Sequence, residues 1–275
     1  MHAQKPVAVV ALALTVVGMV LVGALWAFQR RIIYQPDTAA PPPAAQVIVG
    51  AHDVTLHTAD GIELEAWLVP ASPISDRGAA VLYAPGNGGN RAGRAGIAQL
   101  LADRGFTVLL LDYRGFGGNP GSPTEEGTTF DLLAGMDLLE QAGFTPENVV
   151  YFGESLGGGV VANAQRHVPP AGIVLRSPFT ELADVAAEML PWLPVGWLLR
   201  EDYPLLEQLS TSEIPTTVIY GDADTMVPGR LSKQVAAALP NLFEEVELAG
   251  GHNDPVMFGP PVADAVVRLV EHLRS

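Results

Sequence analysis

The chain predicts an α/β domain with a mostly parallel, eight-stranded sheet and helices on both faces. Short, mostly apolar runs such as residues 79–84, 106–111 and 172–175 lack the polar alternation of a half-exposed strand, which marks strands buried on both sides. Segments of helical period separate them, the rhythm that builds a parallel sheet. With 275 residues, 48% of them hydrophobic, the chain can bury one full core after an N-terminal segment is set aside.

That N-terminal segment is distinctive. Residues 6–28 contain no charge, and at about 1.5 Å per helical residue they reach roughly 34 Å, enough to cross a bilayer core. Trp26 and Phe28 sit where an interfacial aromatic belt belongs. A cleaved signal peptide ending at Val22-Gly23-Ala24 is the competing reading, but the apolar run is longer than the usual signal core. Lys5 and the terminal amine balance Arg30 and Arg31 across the segment, so charge sets no orientation. Residues 1–34 therefore read as a membrane anchor with its flank. Residues 35–46, with Pro36 and Pro41-Pro42-Pro43, read as a stiff extended linker.

The domain, residues 47–275, opens on two strands around Asp60-Gly61, a hairpin signal that makes the N-terminal pair antiparallel. Strand 79–84 leads into Pro85-Gly86-Asn87-Gly88-Gly89-Asn90 and a helix over 91–104. Strand 106–111 ends in Asp112-Tyr113-Arg114-Gly115-Phe116-Gly117, and Thr128 or Thr129 caps a helix reaching Ala142. Further strands fall at 149–152, 172–175, 216–220 and 243–248, and a last amphipathic helix carries Val262, Val266, Leu269 and Leu273 on one face. Residues 181–214 interrupt the rhythm with Pro191, Trp192, Pro194 and Trp197, and are expected to form a short lid insertion.

Composition removes several function classes. A net charge of -15, with Lys5 and Lys233 the only lysines, offers no basic stripe for a phosphate backbone, so no nucleic-acid partner is expected. No cysteine is present, which excludes disulfides, thiolate metal sites and a cysteine nucleophile. Gly115-x-Gly117 is followed by Pro120 where a dinucleotide fingerprint needs a small residue, and no Gly-Lys-Ser/Thr occurs, so neither nucleotide motif is complete. The histidines show no metal-ligand spacing, and no metal or cofactor is expected.

The chemistry concentrates at strand ends. Gly153-Glu154-Ser155-Leu156-Gly157 joins a β-rich run to a helix start, a sharp bend that holds the Ser155 hydroxyl clear of the backbone. An aspartate at 222 or 224 and then His252 follow later strands. In a parallel sheet, residues just past different carboxyl ends converge in space, so these groups are candidates for one site. Singly, each has a structural explanation, such as a turn-forming aspartate or a loop histidine. Asp254 either supports His252 or caps a turn.

Together with Gln29-Arg30-Arg31-Ile32-Ile33-Tyr34, Gly86-Asn87-Gly88-Gly89-Asn90, residues 112–117, residues 221–228 and Gly251-His252-Asn253-Asp254, this order resembles the α/β-hydrolase fold serine hydrolases. More narrowly it is similar to a membrane-anchored subfamily related to fungal bud-emergence hydrolases and eukaryotic α/β-hydrolase-domain depalmitoylases. The family pattern G-x-x-D-x-x-V-P falls on Gly221, Asp224, Val227 and Pro228, which selects Asp224 as the acid; Pro85-Gly86 stands where the family usually has His-Gly. The resemblance implies Ser155 as nucleophile, His252 as base, Asp224 as acid, and the backbone N–H groups of Asn87 and Leu156 as an oxyanion hole. It implies ester or thioester cleavage of a small-molecule or acylated substrate, without a cofactor, at a membrane. A peptidase of the aminopeptidase type, and a silent interaction module on the same fold, are the alternatives.

Overall fold

The computed structural model describes the backbone of residues 4–275 and the side chains of residues 12–275. His2, the terminal amine and the Lys5 side chain, two of which enter the charge balance above, lie outside that description. Helix α1 (Gln4–Ile33) contains a 22-residue apolar stretch, Leu12–Ile33, long enough to cross a membrane and almost wholly exposed.

Eight strands form one sheet: β1 (His52–His57), β2 (Glu63–Val69), β3 (Ala79–Ala84), β4 (Phe106–Leu110), β5 (Val149–Glu154), β6 (Gly172–Arg176), β7 (Thr216–Gly221) and β8 (Leu242–Leu248). Their spatial order is β1-β2-β4-β3-β5-β6-β7-β8. Strand β2 runs antiparallel to both β1 and β4, while all pairings from β4 to β8 are parallel. The chain leaves β3 toward one edge of the sheet and leaves β5 toward the other. The carboxyl ends of β3 and β5 therefore flank the switch point where open α/β sheets hold their ligands.

Each buried strand serves two cores because its side chains alternate faces. From β3, Ala80, Leu82 and Ala84 join Leu132 and Met136 of α3 (Glu125–Gln141), Val160 and Val161 of α4 (Leu156–Ala164) and Leu231 and Val235 of α7 (Gly229–Ala238). Val81 and Tyr83 join Ile97 and Leu101 of α2 (Ala95–Asp103) and Val262, Val266 and Leu269 of α8 (Pro260–Leu273) on the other face. This double burial explains the continuous apolar runs.

Two details differ from the sequence reading, the start of α3 and the place of residues 35–46. Helix α3 starts earlier, because the Thr124 side chain accepts from Gly127 N at 2.9 Å and caps it, with Glu125 and Glu126 facing the positive helix end. Thr128 is instead buried inside the helix, bonded to the Tyr203 hydroxyl at 2.9 Å. Residues 35–46 are no free spacer: Gln35–Pro36 pair in parallel with Gly88–Gly89, and Asp37 N donates to Gly89 O at 3.0 Å. The insertion holds α5 (Leu182–Met189), a 3-10 turn at Val195–Trp197 and α6 (Leu205–Leu209); its Trp192 and Trp197 are exposed, outside the core.

The insertion grips the foot of α1. Gln29 Nε2 donates to Leu198 O at 3.1 Å, Arg200 N donates to Gln29 Oε1 at 2.8 Å, and the Tyr34 and Tyr203 hydroxyls meet at 2.8 Å. Buried Glu201 accepts from Arg30 Nε at 2.5 Å and from Glu125 N, the first amide of α3, at 2.6 Å. One carboxylate thus satisfies an orphan helix donor and a cation together. Glu201→Ala is expected to lower unfolding free energy by about 1–3 kcal/mol, because a part-buried amide and a half-exposed guanidinium lose their acceptor; the shift in thermal midpoint measures it.

Candidate active site

Ser155 stands between β5 and α4 with φ 51° and ψ -115°, a left-handed backbone that a residue bearing a side chain adopts only under strain of roughly 1–3 kcal/mol. Neighbouring glycines make the bend possible. A Cβ on Gly157 would lie 2.1 Å from the Ala84 carbonyl oxygen at the end of β3, and one on Gly153 would lie 2.6 Å from Gly158 Cα. Ser155 N donates to Arg176 O at 2.8 Å, which extends the ladder between β5 and β6 and fixes the bend from the side.

The two later residues come from the ends of β7 and β8. Asp224, in the loop after β7, is buried and its Oδ2 lies 2.6 Å from His252 Nδ1. Its Oδ1 accepts from Met226 N and Val227 N, each at 2.9 Å. Burial pushes the Asp224 carboxyl up, but the imidazole and the two amides outweigh burial and leave it below its ordinary value, so it is anionic at neutral pH. Asp222 does something else: it is exposed, and its Oδ1 accepts from Gly250 N at 2.9 Å. Asp254 accepts from Gly251 N at 2.7 Å and so shapes the turn that carries His252. Nδ1 pairs with Asp224, which leaves Nε2 as the imidazole nitrogen that this carboxylate does not engage. Among the described residues, Ser155 Oγ makes no hydrogen bond, to His252 or to any other group.

Two residues that sequence reasoning passed over tie these elements together. Glu154, buried beside the serine, accepts from Arg94 Nη2 at 2.8 Å and Arg94 Nε at 3.2 Å, from the Tyr83 hydroxyl at 2.8 Å, and pairs with Arg176 Nη2 at 3.1 Å. Arg176, fully buried over the Phe258 ring, also donates from Nη1 to the His252 carbonyl at 2.8 Å. Arg176 therefore holds the Ser155 amide through its backbone and the His252 backbone through its side chain. The only sequence signal was a charge at the end of each of two apolar strands, and nothing in the sequence pairs them. Burial raises the Glu154 pKa, yet the Arg176 and Arg94 charges overcome it and bring it down to about 2.

The loop after β3 completes the site. Gly86 faces the Glu154 carboxylate, where a Cβ would lie 2.9 Å from Oε1, and Arg94 Nη1 donates to Gly88 O at 2.8 Å. Among the described residues, the backbone N–H groups of Asn87 and Leu156 donate to no acceptor, so both are free to serve a ligand. The Leu156 amide opens α4, where the helix dipole adds positive potential. The Asn87 side chain turns away: its Nδ2 donates to the Ile33 carbonyl at 2.7 Å, satisfying an orphan acceptor at the end of α1, while its own carbonyl accepts from Gln35 N at 2.8 Å. Asn87, the third residue of the loop, is thus bonded directly to the foot of the apolar helix.

A strained serine at a βα turn on the switch point of this sheet defines a hydrolase-type scaffold, and comparison with known proteins agrees. Residues 79–201 match the alpha/beta hydrolase fold family. The uncharacterized protein Rv2307c of Mycobacterium tuberculosis is 42% identical over 272 residues, covering 98% of this chain and 95% of its own. The lysophosphatidylserine lipase ABHD12 of Danio rerio is 28% identical over 229 residues, 70% of this chain and 60% of that protein. The solved Pyrococcus furiosus esterase Pf2001 has a TM-score of 0.69 at 20% identity, over 86% of this chain and 98% of that one, a likeness of fold. The chain belongs to the alpha/beta hydrolase fold family, and family and relatives together support a hydrolase.

Glu154→Gln is expected to cost about 3–5 kcal/mol in urea unfolding, since Arg94 and Arg176 lose the charge that compensates them. The same carboxylate sets an acid limit. Its pKa in the fold, about 2, lies below its ordinary 4.5, so its stabilisation is present above about pH 4.5 and lost as pH falls from there toward 2. That step, about 3 kcal/mol, is expected in the parent protein and absent from Glu154→Gln when unfolding is followed against pH.

Proposed function

We propose that the protein is a serine hydrolase that cleaves carboxylic ester or thioester bonds through an acyl-enzyme. The observation that supports this reading is the 2.6 Å contact between His252 and Asp224, with the His252 carbonyl held by the side chain of Arg176, whose own carbonyl accepts from the Ser155 amide. A serine hydroxyl is a weak nucleophile at neutral pH and needs a base as it attacks. In the proposed reaction His252 Nε2 takes the Ser155 proton while Oγ bonds to the acyl carbon. The anionic Asp224 stabilises the imidazolium and keeps Nε2 directed outward. Negative charge on the former carbonyl oxygen falls to the free amides of Asn87 and Leu156, each worth about 3–4 kcal/mol of transition-state stabilisation. His252 then protonates the leaving alcohol or thiol; water, activated by the same base, releases the acid and restores Ser155.

Helix α1 is read as an uncleaved single-pass anchor, and residues 181–214 as a lid over the domain. An active site bonded at Asn87 to the end of that helix lies at the membrane surface, which favours lipidic or acylated substrates. The lipase activity in the name of the Danio rerio relative is in keeping with this substrate class.

Labelling with a fluorophosphonate probe tests the proposal. The full chain is expected to be labelled, Ser155→Ala to be silent, and hydrolysis of p-nitrophenyl esters to fall by about three to six orders of magnitude in Ser155→Ala and by about three to four in Asp224→Asn. Folded protein without Ser155-dependent labelling would sink the enzyme reading in favour of an interaction module. Faster turnover of aminoacyl arylamides than of aryl esters would replace the esterase with a peptidase.

A further inference from the structure

The exposed part of the insertion has an unusual composition for this chain. Between Glu188 and Arg200, residues 189–199 read Met-Leu-Pro-Trp-Leu-Pro-Val-Gly-Trp-Leu-Leu, without one ionisable side chain, in a protein of net charge -15. The run lies on the surface: Met189 is 74% exposed, Trp192 73% and Trp197 92%. Single exposed apolar residues need no explanation, but a contiguous run with two tryptophans does.

Its position says what covers it. Leu198 lies across a groove of about 510 Å³ from Met19, Val22 and Trp26 of α1, all within the apolar stretch Leu12–Ile33. Leu198 to Arg200 therefore lie alongside the apolar stretch of the helix, next to its polar end. Two residues on, the surface changes character: the Arg200 guanidinium sits 3.6 Å over the Trp26 ring, and a polar cleft of about 560 Å³ follows, lined by Arg30, Arg166, His167, Arg200, Glu125 and Glu201. Apolar side chains and tryptophan below, arginines above, is the order of groups met on leaving a bilayer.

From this geometry we infer that residues 189–199 form a second membrane contact, in which Met189, Trp192 and Trp197 enter the interfacial and upper acyl region of the same bilayer that holds α1. The occupant of this surface is the lipid bilayer. The inference rests on the anchor reading of α1 and is independent of the chemistry at Ser155. The bonds at Gln29, Arg30 and Asn87 fix the domain against the helix, and a second contact beside it fixes the tilt of helix and domain together relative to the bilayer. The groove between Leu198 and α1 is then open to acyl chains. A polar stretch here would have to shed its water to lie at this depth, which explains why residues 189–199 carry no charge.

The test uses full-length protein in phosphatidylcholine vesicles whose acyl chains carry bromine, a contact quencher of tryptophan. The chain has four tryptophans, of which Trp67 is fully buried in the core. In Trp26→Phe, lipid contact can therefore be reported by Trp192 and Trp197. Emission of this variant is expected to fall by about half or more against unbrominated vesicles, and Trp26→Phe/Trp192→Phe/Trp197→Phe is expected to show no fall. Flotation with the vesicles confirms attachment, and retained Trp67 emission confirms that the triple variant is folded. Attached Trp26→Phe protein that is not quenched, or whose tryptophans are reached by aqueous iodide, would overturn the second contact while leaving the anchor intact. A chain that does not float would overturn the anchor reading and this inference together. Fluorophosphonate labelling in the same vesicles reports separately on Ser155.

Discussion

The site depends on one carboxylate buried among apolar strands. Glu154 lies at the end of β5, where desolvation alone would neutralise it, and it stays charged because Arg94 and Arg176 converge on it with the Tyr83 hydroxyl. Three elements meet at that charge. Arg94 belongs to the turn after the β3 loop and also holds Gly88 O; Arg176 ends β6 and reaches the His252 carbonyl; Glu154 itself precedes the strained serine. An ion pair of this kind adds little net stability over a well-packed apolar substitute, but it is highly directional. Its value here is geometric: it sets the loop after β3, the β5 turn and the His252 loop at fixed distances from one another.

That register is what the left-handed backbone at Ser155 requires. A strained residue persists only where the surroundings over-determine it. Here Arg176 O holds the serine amide, and Gly153 and Gly157 let α4 and β3 approach more closely than any Cβ would allow. The same close approach packs the start of α4 against the end of β3: a Cβ at Gly157 would lie 2.1 Å from the Ala84 carbonyl oxygen. The topology chose the place, since β3 and β5 are the strands between which the chain changes direction.

The apolar helix is part of this arrangement and is no detached tether. Ile33 O is capped by the Asn87 side chain, Gln35 and Asp37 pair with residues 87–89, and Tyr34, Arg30 and Gln29 are bonded to the insertion. Residues following the helix thus brace one wall of the site, and the insertion braces the helix. On the proposed anchor reading of α1, a domain held in this way approaches the bilayer at a defined angle, which gives the proposed surface at residues 189–199 its meaning.

Much of this was legible in the order of residues. Continuous apolar runs marked strands buried on both faces, glycines around Ser155 marked the bend, and Asp60-Gly61 marked the hairpin, because each depends on local backbone freedom or on periodicity. The sequence by itself determined which residues stand at strand ends and so which of them can converge. It left Asp222 and Asp224 equal until the family pattern was added, missed Thr124 as the cap of α3, and made residues 35–46 a spacer. Only the tertiary structure decided that Asp224 faces His252, that Glu154 binds two arginines far from it in the chain, and that residues 33–37 lie on the loop at Asn87. These are contacts between segments with no periodicity in common: the pairing of a buried charge is settled by which ends the folded sheet brings within hydrogen-bond reach, and that distance is a property of the packed layers, not of spacing along the chain.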